Sequence, residues 1–381
     1  MTPASRKTAV LYAVGDVAPD RPDPNACFDL VRARLDEADI AFCQLEVNLT
    51  TRGSRLPQAR HTMRGDPQIA DALRDAHFNV VSFAGNHCMD WGREGFFDTI
   101  DNLKRVGLGV VGVGADIAEA RRPLFVEVNG LRVAFLAYSS ILPMSYWAEE
   151  RRPGCAPMRG HTLYEQIEHD QPGTPARIHT FAHREDLAAL CEDIRAARAE
   201  ADVVAVSLHW GIHFVEAVIA DYQKDVARAA IDAGAGLILG HHAHILKGVE
   251  LYRGVPIVYS LCNFAVDLRM DEAHANSKSF KEIQTLNASW IPDLDSLYNF
   301  PADSRMTMVL KAVIQDGQVR VSLLPAYVNT NAQPEIVGAG DPRFDQVKAY
   351  LEKITAAAGF GTRYEVEGDE LVPVAAEGMP A

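Results

Sequence analysis

The feature that most restricts the fold of this chain is an alternation of short apolar runs and amphipathic segments along the sequence. The apolar runs have the length and the β-branched content of strands, and the segments between them place apolar residues at helical spacing. Strands that alternate with helices are typical of an α/β protein with a layered core. Strands are predicted at residues 8–16, 39–46, 79–86, 109–114, 131–139, 202–211, 235–242 and 255–261, and helices at residues 28–38, 68–76, 93–107, 184–200 and 221–234.

Other parts of the chain depart from this alternation. Residues 143–183 are rich in Pro, Gly, Arg and His and are predicted to form a lid or loop insertion, because long irregular segments inside compact domains tend to be functional. Residues 268–304 form a second polar insertion. The remainder is predicted to contain a hairpin at Asp316-Gly317, a helix over residues 342–358 and a strand pair near residues 363–374.

The composition limits the partners of the chain. A formal net charge of -14 over 381 residues opposes binding to nucleic acid or to an anionic membrane surface. No window approaches the roughly 18 consecutive apolar residues of a membrane-spanning helix, and residues 1–17 lack the apolar core of a secretory signal. The 6 cysteines are widely scattered and include no CxxC pair. We therefore expect reduced thiols and a cytoplasmic location.

Side chains that can bind metal ions lie at the C-terminal ends of several predicted strands. This edge of an open α/β sheet is where ligands bind, so we expect these donors to meet in space. A pair of divalent ions about 3.5–4 Å apart needs a carboxylate that can bridge them, and the other donors match the oxygen and imidazole ligands of such ions. The candidate ligands are Asp16, Glu46, Asn86, His209, His242 and His244.

These donors belong to motifs that follow one another in a characteristic order: GDV (15–17), LE (45–46), GNHCMD (85–90), HWG (209–211), GHHAH (240–244) and GVELYRGVPIVYSLCNF (248–264). With this series the chain resembles the CapA or PgsA type of poly-γ-glutamate capsule biosynthesis protein, a branch of the calcineurin-like metallophosphoesterases. The resemblance implies a four-layer α/β/β/α sandwich. It places the metallophosphoesterase domain at residues 8–266, and residues 267–381 would complete the same fold with a hairpin and a helix.

The resemblance also implies roles for single residues. Asp16 and His244 would bind a first metal ion, Asn86 and His209 would bind a second one together with His242, and Glu46 would bridge the two. His87 would assist the leaving group and Asp90 would orient its imidazole, while His241 would lie behind the ligands. The ions stay unidentified, because these donors suit Mn, Fe, Zn or Co about equally.

Several positions depart from the family pattern. Ala18 stands where the wider superfamily has the histidine of a DxH motif, so the first metal ion would lose one ligand. His213 stands where relatives carry Glu, and Cys262 stands where they carry Gly. His213 would either contact the substrate or pack beside Trp210. These departures predict a substrate that differs from that of the capsule proteins.

The segment just before the second predicted helix is a candidate for substrate binding. In relatives it reaches over the site, and its cationic residues could hold an anionic substrate through paired hydrogen bonds. The alternative is a solvated loop. The residues concerned are Arg60, His61 and Arg64.

The sequence thus predicts a dinuclear metal-dependent hydrolase that cleaves an amide or a phosphoester of a small anionic or γ-glutamyl-type substrate. The alternative is a non-catalytic or accessory component of poly-γ-glutamate capsule biosynthesis or export. A redox protein that uses Cys and His is disfavoured by the spacing of these residues. Homo-oligomerisation is left open.

Overall fold

A computed structural model of the chain describes residues 7–59 and 62–376, so Arg60 and His61 lie outside the described residues. The strands, numbered in chain order, are β1 (Thr8–Ala18), β2 (Ile40–Leu45), β3 (Asn48–Leu49), β4 (Arg64–Gly65), β5 (Val80–Ser82), β6 (Gly109–Val111), β7 (Val113–Gly114), β8 (Leu124–Val128), β9 (Leu131–Ser139), β10 (Gly154–Cys155), β11 (Gly160–Glu165), β12 (Arg177–Ala182), β13 (Val203–His209), β14 (Leu237–His241), β15 (Val249–Tyr252), β16 (Val255–Val258), β17 (Asn263–Val266), β18 (Met306–Gln315), β19 (Gln318–Val328), β20 (Pro334–Ile336), β21 (Thr362–Glu367) and β22 (Glu370–Ala375). The α-helices are α1 (Arg32–Leu35), α2 (Ile69–Asp75), α3 (Gly92–Arg105), α4 (Ile117–Ala120), α5 (Arg184–Glu200), α6 (Asp221–Asp232), α7 (Glu272–Ala275), α8 (Lys278–Gln284) and α9 (Pro342–Ala357).

Two sheets carry the fold. The large sheet has the order β21-β22-β19-β18-β1-β2-β5-β6, with β17 also paired to β1 and β20 to β19, and the second sheet has the order β15-β16-β14-β13-β9-β8. Strand β1 changes its neighbour along its length: residues 8–13 pair antiparallel with β18, and residues 16–18 pair parallel with β17. This change of partner sets Asp16 beside Asn263 in the sheet.

Alternate residues of the central strands face different layers, because successive side chains of a strand point to opposite faces. In β9, Val133 and Phe135 belong to the core between the two sheets, whereas Ala134 and Leu136 belong to the core that includes apolar residues of α5 and α6. Phe135 stacks on Phe42 of β2 with ring centroids 5.9 Å apart. The two sheets therefore pack face to face.

Helices cover both outer faces of this pair of sheets. Helix α3 buries Phe96, Ile100 and Leu103 in the core of the large sheet and contacts β6. Helix α5 contacts β9 and β13 of the second sheet. The order is helix, sheet, sheet, helix, and the predicted four-layer α/β/β/α fold class is confirmed.

The C-terminal elements follow the prediction closely. Asp316 and Gly317 join β18 to β19 with φ of 52° and 82°, the left-handed pair that a two-residue hairpin turn requires. Helix α9 begins after Asp341, whose carboxylate accepts a hydrogen bond from the Arg343 N–H at 2.8 Å. Strands β18 to β22 extend the large sheet, so this part shares the fold of the preceding residues.

Several predicted elements differ from the structure. The helix predicted over residues 28–38 is wrong in extent, because a 3-10 turn at Pro24–Phe28 precedes it and only Arg32–Leu35 is α-helical. The strand predicted over residues 109–114 is divided at Gly112, whose φ of 87° turns the backbone. Residues 143–183 contain strand β10 and the β11–β12 hairpin, so this insertion is partly a hairpin and not only a loop.

Two further sequence expectations concern the helices and the cysteines. Within residues 7–59 and 62–376, none of the helices combines the length and the apolar character that crossing a bilayer demands. The cysteines are all buried free thiols: Cys27, Cys43, Cys88, Cys155, Cys191 and Cys262. The expectation of reduced cysteines therefore matches their placement in the fold.

Candidate metal centre

Both sheets supply metal donors at the ends of their strands. Asp16 lies in β1 and Glu46 follows β2 of the large sheet, whereas His209 ends β13 and His242 follows β14 of the second sheet. Strand β1 contacts β14 across the interface between the sheets. Asn86 follows β5, so the donors predicted at separate strand ends meet at one edge of the sandwich.

Two glycines allow the close backbone approach that this meeting requires. A Cβ atom at Gly15 would lie 1.9 Å from the Cys262 carbonyl oxygen, and one at Gly240 would lie 2.1 Å from the Tyr259 carbonyl oxygen. No side chain fits at either position. The resulting proximity lets Asp16 Oδ2 accept a hydrogen bond from the His242 backbone N–H at 3.2 Å.

The donors form two groups that share one carboxylate. One group consists of Glu46, His209 and His242, the other of Asp16, Glu46 and His244, and the ligand atoms within each group lie within 4.8 Å of one another. Glu46 Oε1 is 3.0 Å from His209 Nε2, and Glu46 Oε2 is 3.6 Å from His244 Nε2. The carboxylate of Glu46 thus faces both groups with different oxygen atoms.

Asparagine side chains complete the two groups. Asn86 Oδ1 lies 2.7 Å from His209 Nε2. Asn263 Oδ1 lies 2.7 Å from His244 Nδ1, and the Asn263 amide donates to the Tyr298 hydroxyl at 2.9 Å. Asn263 was not predicted as a site residue from the sequence. Its position in the SLCNF segment (260–264), where β17 begins, offered a signal that could have identified it.

Unpaired buried polar atoms support the presence of cations in this cluster. Asp16 Oδ1 and Nδ1 of both His209 and His242 have no hydrogen-bond partner among the described residues, and Glu46 Oε1 has no hydrogen bond there although His209 Nε2 lies 3.0 Å away. A buried carboxylate without a partner is costly unless it is paired with a charge or coordinates a metal ion. The donor set therefore fits a pair of divalent cations.

The backbone of the histidine loop is also strained at the site. His242 and His244 have φ of 85° and 54°, and Cys262 beside them has φ of 65°. Residues other than glycine adopt this left-handed conformation at a cost of about 1–3 kcal/mol each, and such residues gather at functional sites. The strain turns the imidazoles of the HxH segment toward the two carboxylates.

The ionisation of Glu46 suits a role as a ligand. Burial alone would raise the pKa of its carboxyl group, but the neighbouring His244 and His209 outweigh that effect and hold the pKa well below its usual value. The side chain is therefore a carboxylate at neutral pH. An ionised carboxylate is the form that coordinates metal ions.

His87 lies at the same edge of the sandwich. It contacts Asp90, which in turn contacts Tyr146. Its Nδ1 is 2.7 Å from Asp90 Oδ2, and Asp90 Oδ1 accepts a hydrogen bond from the Tyr146 hydroxyl at 3.0 Å. Burial would lower the pKa of His87, but the hydrogen bond and charge of Asp90, with Glu46 and Asp16, raise it to about 9. Tyr146 belongs to the insertion at residues 143–183 and was not predicted from the sequence.

Of the other two histidines of the predicted site, His241 is fully buried and His213 is half-buried. His241 Nδ1 is 3.4 Å from Asp16 Oδ1, and its ring packs against Phe42. His213 lies against His242, with ring centroids 3.8 Å apart, and lines the cavity over the site. Burial, followed by the charge of neighbouring histidines, holds the pKa of His213 well below its usual value. Trp210 stacks on Tyr259 instead, with centroids 5.7 Å apart.

The cationic segment reaches the cavity through Arg64. Its Nε and Nη2 donate to the carbonyl oxygens of Thr50 and Arg52 at 3.0 and 2.9 Å, and its guanidinium lies 4.3 Å from the Trp91 ring centroid. These bonds use two of the five guanidinium N–H donors, so the Nη1–Nη2 edge of Arg64 can still bind an anion in a paired geometry. Ala18, which replaces the expected histidine, also lines this cavity.

A four-layer sandwich with metal donors at the edge where its two sheets meet defines the calcineurin-like metallophosphoesterase fold. Residues 10–268 match the family model described as bacterial capsule synthesis protein PGA_cap, and the chain belongs to that family. It is 32% identical over 206 residues to the PGA biosynthesis protein CapA of Bacillus subtilis, an alignment that covers 54% of this chain and 47% of that protein.

The chain is also similar to other proteins and to solved structures. The chain is 31% identical over 233 residues to a probable polyglutamine synthesis accessory protein of Mycobacterium tuberculosis, covering 60% of this chain and 56% of that one. It thus spans about half the length of the curated relatives it matches. Among solved structures, a putative 5′-nucleotidase from Staphylococcus aureus in complex with alpha-ketoglutarate is 12% identical with a TM-score of 0.45, covering 91% of this chain and 58% of that one.

Proposed function

We propose that the chain is a metal-dependent hydrolase that holds two divalent cations and cleaves an amide or a phosphoester of a small anionic substrate. The observation that carries this proposal is the position of Glu46, whose two oxygens face two separate groups of donors. One carboxylate between two groups is the arrangement that a closely spaced pair of ions requires. Membership of the capsule synthesis family gives the reaction its setting in poly-γ-glutamate metabolism.

The proposed ligands divide between the two positions. Asp16 and His244 would hold one cation, Asn86, His209 and His242 would hold the other, and Glu46 would serve both. When bound, such a pair supplies Lewis-acid activation of water and of the substrate oxygen. Five of these side chains are almost fully buried, whereas Asn86 is half-buried and lines the cavity.

His87 is proposed as the general acid. Its Nδ1 is occupied by Asp90, so Nε2 is the nitrogen that can pass a proton to a leaving alkoxide or amine. The hydrogen bond and the charge of Asp90 raise the pKa of the His87 imidazole, which favours the protonated form that a general acid needs. Asp90 fixes the orientation of the ring and Tyr146 fixes Asp90.

The second candidate is an accessory, non-catalytic component of poly-γ-glutamate biosynthesis or export. It is supported by the name of the mycobacterial relative, a probable accessory protein. In that case the metal centre would stabilise the fold and perform no chemistry. The cytoplasmic location and the identity of the ions, manganese among them, stay predictions in either case.

An activity panel with a matched pair of variants tests the proposal. The purified chain, loaded with Mn²⁺ or Zn²⁺, is assayed on p-nitrophenyl phosphate, on phosphodiesters and on γ-glutamyl and acyl amides, beside Glu46→Gln and the exposed control Glu150→Gln. We expect metal-dependent turnover of at least one class, lost in Glu46→Gln and kept in Glu150→Gln. If the metal-loaded chain turned over none of these substrates, the accessory role would be favoured.

A further inference from the structure

The cavity over the metal donors also has an apolar wall. Its volume is about 750 Å³, within the range of small-molecule sites of roughly 300–1,000 Å³ and much more than a reacting carbonyl or phosphoryl group needs. The polar residues that line it include Glu46, Asn86, His87 and His244. The apolar residues that line it include Phe214, Met270, Phe280, Ile283, Trp290 and Phe300.

The second insertion builds most of this wall. Residues 268–304 were predicted only as a polar segment, yet they fold α7 and α8 around a separate small core. That core joins Phe280 and Trp290, whose ring centroids are 5.0 Å apart, to Phe214 of the segment after β13. Phe280 and Trp290 are almost fully buried, so the wall is packed and not a loose loop.

The apolar wall reaches the proposed metal ligands directly. The ring centroid of Phe300 lies 5.2 Å from that of His244, and the Phe214 centroid lies 5.7 Å from the same imidazole. Phe300 also stacks on Trp290 at 6.4 Å. A substrate group that packs against Phe300 would therefore lie beside the bond that reacts at the metal ligands.

Part of the wall stays accessible to a ligand. Ile283 of α8 and Phe300 are half-buried and line the cavity, and Leu142 of the other insertion does the same. Accessible apolar surface beside convergent polar groups is the common makeup of a small-molecule site. A γ-glutamyl chain carries a carboxylate on every residue and offers only two methylene groups per residue to such a surface.

We infer that the substrate carries an aromatic or branched aliphatic group that packs against Ile283 and Phe300 while its scissile bond reaches the metal donors. This inference rests on the proposed hydrolase function and narrows its substrate class to amphiphilic molecules. The apolar contact fixes the position of the substrate, and the insertion at residues 268–304 determines specificity.

Calorimetric titration of the full chain, incubated with Mn²⁺, with straight-chain carboxylates from acetate to octanoate tests the inference without requiring turnover. Each added methylene buried on the wall should tighten binding by about threefold to fourfold. Ile283→Gln should weaken octanoate binding by roughly tenfold and leave acetate binding unchanged. Ile291→Gln is the matched control, because Ile291 belongs to the same insertion and is 83% exposed.

The outcomes separate this inference from the proposed function. Affinity that does not change with chain length, the absence of carboxylate binding, or equal losses in Ile283→Gln and Ile291→Gln would overturn the apolar subsite. Affinity that rises with chain length, and that Ile283→Gln weakens for octanoate while Ile291→Gln does not, would support it. If that result came with no turnover on the activity panel, the subsite would stand and the hydrolase proposal would fall.

Discussion

The imidazole of His87 is held on one side by Asp90 and faces the cavity with the other. If it donates the proton to the leaving group, His87→Ala should lower kcat by about 10²–10⁴-fold, the usual contribution of a general acid. Metal content, measured by elemental analysis, should be unchanged, because His87 is not among the proposed ligands. Loss of a metal ion together with activity would show that its role is ligation.

Tyr146 is predicted to position this pair. Removing its hydroxyl in Tyr146→Phe takes one hydrogen bond from the Asp90 carboxylate, a bond to a charged group worth about 1.5–3 kcal/mol. We expect kcat to fall by roughly tenfold with KM and metal content retained. Tyr164→Phe, at a side chain that is 69% exposed, is the control, and equal kcat in the two variants would remove Tyr146 from the mechanism.

At the scale of single residues, the metal donors could be predicted from the sequence, but the residues that position them could not. Asp16, Glu46 and His209 could be found because each follows or ends an apolar run. Asn263 and Tyr146 act through contacts with His244 and Asp90, which lie 19 and 56 positions away in the chain. Such pairings depend on tertiary packing; the SLCNF segment offered a signal for Asn263, whereas no local pattern marks Tyr146.

Among the elements, β1 depends on Gly15 for its contact with the segment after β16. A methyl group there would meet the Cys262 carbonyl oxygen at 1.9 Å, and neither backbone can move without shifting Asp16. Gly15→Ala should destabilise the fold by about 1–3 kcal/mol or more and weaken metal binding. Gly340→Ala, where nothing lies within 4 Å, is the control in thermal unfolding; an unchanged Tm for Gly15→Ala would contradict this account of the strand crossing.

The segment after β13 is tied down by a buried lysine. Lys247 Nζ donates to the Val215 and Val218 carbonyl oxygens, and burial lowers the pKa of this side chain from 10.5 to about 8. Between these values the unfolded chain binds more protons, so the free energy of unfolding rises with pH.

Comparison with Lys247→Met isolates that contribution. From about pH 7.5 to 9.5 the wild type should gain about 2 kcal/mol relative to Lys247→Met in urea unfolding. The exposed Lys278→Met should show no such difference. A pH-independent gap between wild type and Lys247→Met would mean that the lysine titrates normally in the folded chain.

Elements with strong local signals were predictable, and those set by tertiary context were not. The β18–β19 hairpin follows from Asp316-Gly317, and α9 from its capping Asp341. The helix predicted at residues 28–38 is shorter in the structure, because its apolar residues are divided between a 3-10 turn and a single α-helical turn. Residues 268–304 are polar in overall composition, so α7 and α8 were not predicted there. Their aromatic core was missed as well, because only a few widely spaced aromatic residues form it.

For the molecule as a whole, the metal ions should contribute to stability, because they bind buried donors that exist only in the folded state. At a hundredfold excess over the dissociation constant a bound ion adds about 2.7 kcal/mol, a rise of roughly 3 °C in Tm for a chain of 381 residues. Chelation should reverse the rise in wild type. Glu46→Gln should respond weakly to added metal, and an equal response in both would exclude Glu46 as a ligand.

The central claim is that one carboxylate, Glu46, lies between two cations, and electron paramagnetic resonance of the Mn²⁺-loaded chain tests it most directly. Two manganese ions about 3.5–4 Å apart should give the spectrum of a spin-coupled pair in wild type, with two ions per chain by elemental analysis. In Glu46→Gln the coupling should disappear. A wild-type spectrum of isolated Mn²⁺, or a coupled spectrum that survives in Glu46→Gln, would contradict the account.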